Sequence, residues 1–251
     1  MNDAFEIATV SSLHCVLEPH DWAFDRQRGA EIDAHWAARR AEIPALFDGP
    51  VLLAHGVSRG NARENATESA TESATESATL GVKFFATRFS RFLAWRDFGF
   101  PDGSVYNCFS MPALRSADGA FLLGEMGADH SAAGAIYFPA GTPDPSDLRG
   151  GLVDLEANLL RELEEETGIA PQEVQLSPDW TIVFAGPRVA CMRIAQSPLA
   201  AAELEARVTA RIAAQKKPEL AGVRMAARRA DLAEPRMLGF IRRFLEPLLP
   251  E

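Results

Sequence analysis

The chain has 251 residues, of which 47% are hydrophobic and 24% are charged, and its formal net charge is −10. This composition is that of a globular protein with enough apolar material for one large domain or two small ones. The acidic balance argues against binding to nucleic acid or to an anionic membrane, because both require a basic surface. The N-terminal residues do not resemble a signal peptide, no apolar run is long enough to cross a membrane, and the cysteines are widely spaced and odd in number. The chain is therefore predicted to be cytoplasmic with free thiols.

The first hundred residues alternate between strand-like and helical stretches. Strands are predicted at 6–17, 50–57 and 81–87, and helices near 28–45 and 89–98. Between them the tetrapeptide Ala-Thr-Glu-Ser occurs three times and begins a fourth. This segment has no large apolar residue to offset its ordering entropy, so we predict a flexible repeat loop at 61–80. Residues 1–104 are thus predicted to form a small N-terminal α/β subdomain, and 105–251 a second domain.

The second domain is predicted to begin with a hairpin, because two strand-like runs flank a Ser-Ala-Asp-Gly turn. The predicted strands are 107–114, 120–124, 135–139, 180–184, 188–194 and 222–227, and the predicted helices surround 159–167 and span 200–214. An amphipathic helix closes the chain. Its apolar side chains, which we expect in the core, are Met237, Phe240, Ile241, Phe244 and Leu248.

Three carboxylates lie close together on the predicted helix around 159–167. Glu162 stands three residues before Glu165 and four before Glu166, so all three project within one broad face. Like charges at these spacings destabilise a helix, and a hard divalent cation with oxygen ligands would offset that cost. Arg161 stands four residues before Glu165 and is placed to bind it. The alternative interpretation is an ordinary solvated helix face.

The run Arg161 to Ile169 agrees with the second half of the Nudix box at every specified position. That box reads Gly, five residues, Glu, seven residues, then Arg-Glu-U-x-Glu-Glu-x-Gly-U, where U is a bulky aliphatic residue. The chain therefore resembles the Nudix hydrolase family over 105–251. The resemblance implies an α/β class protein, an α/β/α sandwich with a mixed β-sheet. It also implies Mg²⁺- or Mn²⁺-dependent hydrolysis of a nucleoside diphosphate derivative by water attack at phosphorus.

The resemblance further implies roles for individual residues. Glu162, Glu165 and Glu166 are expected to bind the metal, with a backbone carbonyl near Gly141 as an added ligand and Arg161 orienting the cluster. The general base is one of these glutamates or an acid from another loop. Glu219 resembles in position an extra acid of some Nudix enzymes, and its alternative is an exposed loop acid.

The first half of the box departs from the family pattern. Arg161 follows Gly141 by 20 positions, where the pattern has 14, so six residues are extra. The place of the first glutamate, eight residues before Arg161, holds Val153. The nearby Asp154 is predicted to be the N-cap of the helix.

The substrate is suggested by a short stretch, 36–50, that ends in Leu46-Phe47-Asp48-Gly49-Pro50. It resembles the entry region of the UDP-glucose pyrophosphatase branch, so a nucleotide sugar is the leading candidate. ADP-ribose or a coenzyme A derivative, a non-catalytic nucleotide sensor and an interaction protein remain alternatives. His130 lies in a polar loop and either reaches the substrate or is an ordinary loop histidine. The resemblance also allows a homodimer.

Overall fold

The computed structural model describes residues 5–61 and 78–251. The predicted repeat loop at 61–80 therefore falls largely outside the described residues. Its two flanks are strand residues instead, because Asn61 pairs with Ala78 in an antiparallel hairpin. Among the described helices, none combines the length and apolar character needed to cross a bilayer.

The described residues up to 104 form four strands and two helices. They are β1 (Glu6–Val10), β2 (Ser12–Leu17), α1 (Ala23–Glu42), β3 (Pro50–Asn61), β4 (Ala78–Arg88) and α2 (Phe89–Asp97). Strand β4 lies between β3 and β2, antiparallel to the first and parallel to the second. Helices α1 and α2 cover this sheet, and Ile32 and Trp95 pack there against Leu53 and Phe85.

The remaining chain adds nine strands and three helices to the described structure. They are β5 (Asn107–Arg115), β6 (Phe121–Met126), β7 (Ile136–Tyr137), β8 (Leu148–Arg149), β9 (Leu152–Val153), α3 (Leu155–Thr167), β10 (Gln175–Leu176), β11 (Trp180–Ala185), β12 (Arg188–Gln196), α4 (Ala201–Ala214), β13 (Leu220–Ala226) and α5 (Gly239–Leu245). An eight-stranded sheet follows the order β1-β11-β12-β5-β6-β13, with β10 beside β12 and β7 beside β6. Its β12–β5 pair is parallel and the other pairs are antiparallel, so the predicted mixed sheet is confirmed.

The two halves of the chain, residues 1–104 and 105–251, each contribute strands to the sheet that the other half mainly forms. Strand β1 joins the eight-stranded sheet beside β11, while β9 and β8 extend the five-stranded sheet through the pair Val16–Leu152. An apolar cluster unites Leu52 and Phe84 of the first half with Leu159 and Ile182 of the second. The first 104 residues therefore share a core with the rest of the protein.

Period-2 alternation along β5 sends successive side chains to opposite faces of the eight-stranded sheet. Phe109 and Met111 pack in a cluster that also contains side chains of α4 and α5, whereas Cys108 packs in the cluster shared by the two halves. The first face carries the cavity described below. All three cysteines are buried and free, as the sequence predicts.

The closing helix differs in one detail from its sequence pattern. Met237, Phe240, Ile241 and Phe244 are buried as predicted, but Leu248 is 38% exposed. The helix ends at Leu245, so the helical spacing does not continue to Leu248. Leu245 is buried in its place.

Candidate active site

Helix α3 is fixed at both ends by its own sequence. The side chain of Asp154 accepts a hydrogen bond from the Ala157 backbone N–H at 2.9 Å, which confirms it as the N-cap. Gly168 ends the helix in a left-handed conformation with φ of +70°, where an L side chain would be strained. Leu159 and Leu163 are fully buried, and they anchor the helix to the apolar clusters.

The three box glutamates have unequal environments. Glu162 is 6% exposed and Glu166 is 4% exposed, whereas Glu165 is open to solvent. The interpretation of this run as an ordinary solvated helix face is therefore wrong. Two carboxylates are buried where only compensating charge or hydrogen bonds can stabilise them in ionised form.

Arg161 contacts two of these glutamates. Its Nη1 atom lies 2.7 Å from Glu162 Oε1 and 3.4 Å from Glu165 Oε2. Its Nη2 atom lies 3.1 Å from a carboxylate oxygen of Asp147. The guanidinium thus links the helix to the loop that precedes it.

Asp147 is a site residue that the sequence analysis missed. It is 2% exposed, and its carboxylate also accepts hydrogen bonds from Asn158 Nδ2 at 3.1 Å and from the Asp144 N–H at 3.0 Å. Asn158 in turn accepts a hydrogen bond from the Ser110 hydroxyl at 2.7 Å. A buried polar chain therefore runs from β5 through α3 to Arg161. The sequence feature that could have revealed Asp147 is the run Asp-Pro-Ser-Asp at 144–147. It forms a short turn within the lengthened loop, and the side chains of its two aspartates cap that turn.

Burial and neighbouring carboxylates raise the pKa values of Glu162, Glu166 and Glu219. Burial, with a smaller contribution from Glu165 and Glu219, raises the pKa of Glu162 to about 7, although Arg161 opposes it. Burial followed by the charges of Glu219 and Glu162 raises the pKa of Glu166 well above its usual value. The pKa of Glu219 is also raised, by burial and then by Glu165. Glu219 lies in the loop before β13 and is exposed at its outer side, but the charges of Glu165 and Arg161 reach it, so it belongs electrostatically to the helix cluster.

A divalent cation fits this donor set. The Ala140 N–H donates to Glu166 Oε1 at 2.9 Å, but Glu166 Oε2 is buried without a partner among the described residues. Gly141 packs so closely on Glu162 that a Cβ at this position would collide with its carboxylate. The carboxylates of Glu162 and Glu166 thus lie against the backbone of residues 140–141, and carboxylate and carbonyl oxygens are the ligands of Mg²⁺ and Mn²⁺.

The cluster is not a preformed metal cage. In residues 5–61 and 78–251, no three Asp, Glu, His or Cys side chains converge closely enough to hold an ion as they stand. The physical reason is that like charges repel, while Arg161 holds Glu162 and Glu165 and the Ala140 N–H holds Glu166. Metal binding at these oxygens requires side-chain movement.

A cavity of about 660 Å³ connects this cluster with the first part of the chain. Its acidic end is lined by Gly141, Arg161, Glu162, Glu165 and Glu219. Residues of β5 and of the first half line much of the rest, including Asn107, Phe109, Met111, Leu46, Phe47, Phe89, Phe92 and Arg96. Glu166 lies behind this lining. The four tryptophans all fall within the described residues, and they do not line the cavity.

His130 lines the same cavity, together with Asp129 and Ser131. Its Nδ1 atom accepts a hydrogen bond from the Ala132 N–H at 3.0 Å, so the ring proton of the neutral form sits on Nε2. Burial and then the charge of Arg96 lower the pKa of His130, which favours that neutral form. His130 is therefore placed as a hydrogen-bond donor in the cavity.

Comparison with known proteins identifies the family. A family model described as the NUDIX domain matches residues 108–246. A crystal structure of a Nudix hydrolase from M. smegmatis, RenU, is similar at 13% identity and a TM-score of 0.36, covering 56% of this chain and 81% of that one. No curated protein matches. Because the family model spans more than half of the 251 residues and includes the glutamate cluster, the chain belongs to the Nudix family and is a pyrophosphohydrolase.

Proposed function

We propose that the protein hydrolyses the diphosphate bond of a nucleotide sugar with Mg²⁺ or Mn²⁺ as cofactor. The observation that carries the proposal is one cavity, which has a carboxylate cluster at one end and aromatic and polar side chains along the rest. Water adds to one phosphorus atom and the bond to the bridging oxygen breaks. The products are a nucleoside monophosphate and a sugar phosphate.

The residues at the acidic end divide this work. A divalent cation held by Glu162, Glu165, Glu166 and a carbonyl near Gly141 would supply positive charge to the diphosphate oxygens. Arg161 orients Glu162 and Glu165 through the contacts described above. Glu219 lines the cavity, and its raised pKa makes it a better proton acceptor, so we assign it the removal of the proton from the attacking water.

The polar loop 129–131 supports a hydroxylated leaving group. His130 offers an N–H donor, and Asp129 and Ser131 add groups of the kind that bind sugar hydroxyls. Arg96 of α2 fixes the loop by donating to the Ser131 hydroxyl and carbonyl, both at 3.1 Å. The stretch that resembles the UDP-glucose pyrophosphatase branch supplies Phe47 to the same cavity.

The test is release of mononucleotide from a panel of substrates under Mg²⁺ or Mn²⁺. The panel contains nucleotide sugars, ADP-ribose, dinucleoside polyphosphates, NADH and coenzyme A. We expect the highest kcat/KM for a nucleotide sugar and complete loss of release with EDTA. A higher kcat/KM for any other member would overturn the substrate assignment.

A paired set of variants tests the site itself. We expect the double variant Glu165→Gln/Glu166→Gln to lose release under both metals, because it removes two of the oxygen donors. Glu164→Gln is the matched control, since Glu164 lies on the same helix but is exposed and outside the cavity. Release that persists in the double variant would show that the assigned glutamates are not the catalytic ones.

A further inference from the structure

Asn107 has a hydrogen-bonding group that the described protein leaves unused. Its backbone N–H donates to the Pro187 carbonyl at 2.8 Å, but its side-chain oxygen is buried without a partner. A buried amide oxygen of this kind normally has a partner. Because no group within residues 5–61 and 78–251 holds that oxygen, the amide can rotate without losing a bond there and present its acceptor to the cavity that Asn107 lines.

Arg188 lies beside Asn107 on the neighbouring strand. The two residues are register partners in the parallel pair β5–β12, and both line the cavity. The Arg188 guanidinium stacks on the Phe100 ring at 4.8 Å, and Phe100 itself has a left-handed φ of +59°, a strained conformation for a bulky residue. Arginine has only N–H donors. This edge of the cavity therefore places donors next to an amide acceptor.

An aromatic ring from the first half of the chain lines the same cavity. Phe47 lines the cavity although it is 81% exposed, which makes it the most exposed large apolar side chain of the described protein. Its ring lies against Gly49, where an added Cβ would stand 3.2 Å from the ring. An exposed ring at a cavity mouth suits stacking on a planar ligand.

We propose that Asn107, Arg188 and Phe47 form a nucleobase subsite that prefers a base with a ring N–H beside a carbonyl. Uracil and guanine have this edge, so that Asn107 accepts from the ring N–H while Arg188 donates to the carbonyl. Adenine and cytosine present an unprotonated ring nitrogen beside an amino group, which leaves the arginine donors facing another donor. Phe47 stacks on the ring face. The inference rests on the proposed function and adds the class of base to it.

The first experiment compares one sugar on four bases. We expect kcat/KM of the full chain to be at least tenfold higher for UDP-glucose or GDP-glucose than for ADP-glucose and CDP-glucose. Asn107→Leu should reduce the preferred reaction about tenfold, mainly through KM, and narrow the preference among bases. Gln175→Leu is the matched control, because it removes an exposed amide from the same sheet outside the cavity. Equal rates on all four bases would overturn the subsite.

A second variant guards against loss of folding. Phe47→Ala removes an exposed ring, so it leaves the fold intact, and we expect it to raise KM for the preferred substrate severalfold with little change in kcat. Leu248→Ala, another exposed apolar residue outside the cavity, should change neither constant. An unchanged KM in Phe47→Ala would exclude stacking at this position.

A binding measurement separates this inference from the proposed function. UMP, GMP and AMP are titrated into the wild type and Asn107→Leu with Mg²⁺ by calorimetry, which needs no hydrolysis. Tighter binding of UMP or GMP than of AMP, lost in Asn107→Leu, supports the subsite even if no nucleotide sugar is hydrolysed. Hydrolysis of nucleotide sugars together with base-independent binding would leave the proposed function standing and overturn the subsite.

Discussion

Glu166 combines deep burial with one unpartnered carboxylate oxygen. Its pKa is raised, so in the cation-free protein its favourable contribution to stability is fully present below the ordinary value of 4.5 and is lost as the pH rises through the raised value. We predict that Glu166→Gln in EDTA melts a few degrees above the wild type at pH 8, and that the difference shrinks toward pH 5. A change of about 1 kcal/mol shifts Tm by roughly 2–4 °C at this size.

Thermal melts of the two proteins across that pH range check this prediction. Glu164→Gln should show no pH-dependent difference from the wild type, because Glu164 is exposed. A Glu166→Gln variant that melts below the wild type at both pH values would contradict the assignment of burial as the destabilising factor.

Asp147 acts on the cluster through Arg161. We predict that Asp147→Asn weakens Mn²⁺ binding and lowers kcat, by on the order of 10–100-fold, as removal of an outer partner of a metal ligand commonly does. Asp147→Glu should restore part of both, because it keeps the charge that Arg161 binds. Asp179→Asn, an exposed loop variant, is the control. An altered Tm with unchanged Mn²⁺ affinity would instead give Asp147 a purely structural role.

The site residues differ in how readily they can be predicted from the sequence. Arg161 and the box glutamates could be predicted because helical spacing brings them to one face and the run 161–169 resembles the second half of the Nudix box. Asp147 could not, since the lengthened loop separates it from Arg161 by 14 residues and folding alone closes that distance. Asn107 carries no motif, and its relevance appears only when β5 and β12 are paired.

At the scale of elements, the loop before α3 places the backbone of Gly141 against the carboxylate of Glu162. A methyl group at Gly141 would collide with Glu162, so we predict that Gly141→Ala loses about 10²-fold in kcat, as misplacement of catalytic groups by about 1 Å does. Gly103→Ala, where an added Cβ meets nothing within 4 Å, should retain full activity. Steady-state kinetics of both variants provide the test, and an active Gly141→Ala would argue against a close role for this loop.

Periodicity predicted the long elements and missed the short ones. Strands β5 and β12 and helices α3 and α4 lie within a few residues of their predicted positions, because each buries a regular face. Strands β8 and β9 have two residues each, which is too short to show an alternation of apolar and polar residues in the sequence. The predicted strand at 135–139 is shorter in the structure, where only Ile136–Tyr137 pair with β6.

At the scale of the whole molecule, the two halves depend on each other for their cores. We predict that a 105–251 fragment lacks a cooperative thermal transition, because Leu159 and Ile182 lose the partners that Leu52 and Phe84 provide. Co-expression with 1–104 should restore the transition and the near-UV circular dichroism. A cooperative melt of the fragment alone, close to the wild-type Tm, would show instead that residues 105–251 are an independent domain.

The division at residue 104 stays a prediction until that test. Composition and periodicity are local properties, whereas the pairing of β1 with β11 joins distant parts of the chain. The same holds for the cavity, whose walls come from both halves. The family resemblance indicated the reaction, but the contribution of the first half to the cavity required the tertiary structure.

The long-range pairing of β1 also affects how the protein is made. Glu6 pairs with Phe184, which follows it by 178 residues. At about 5–20 residues per second, synthesis leaves this strand without its partner for roughly 10–35 s. During that interval its unpaired backbone is a template for pairing with other chains. The yield of native protein therefore depends on what shields residues 6–10 until β11 emerges from the ribosome.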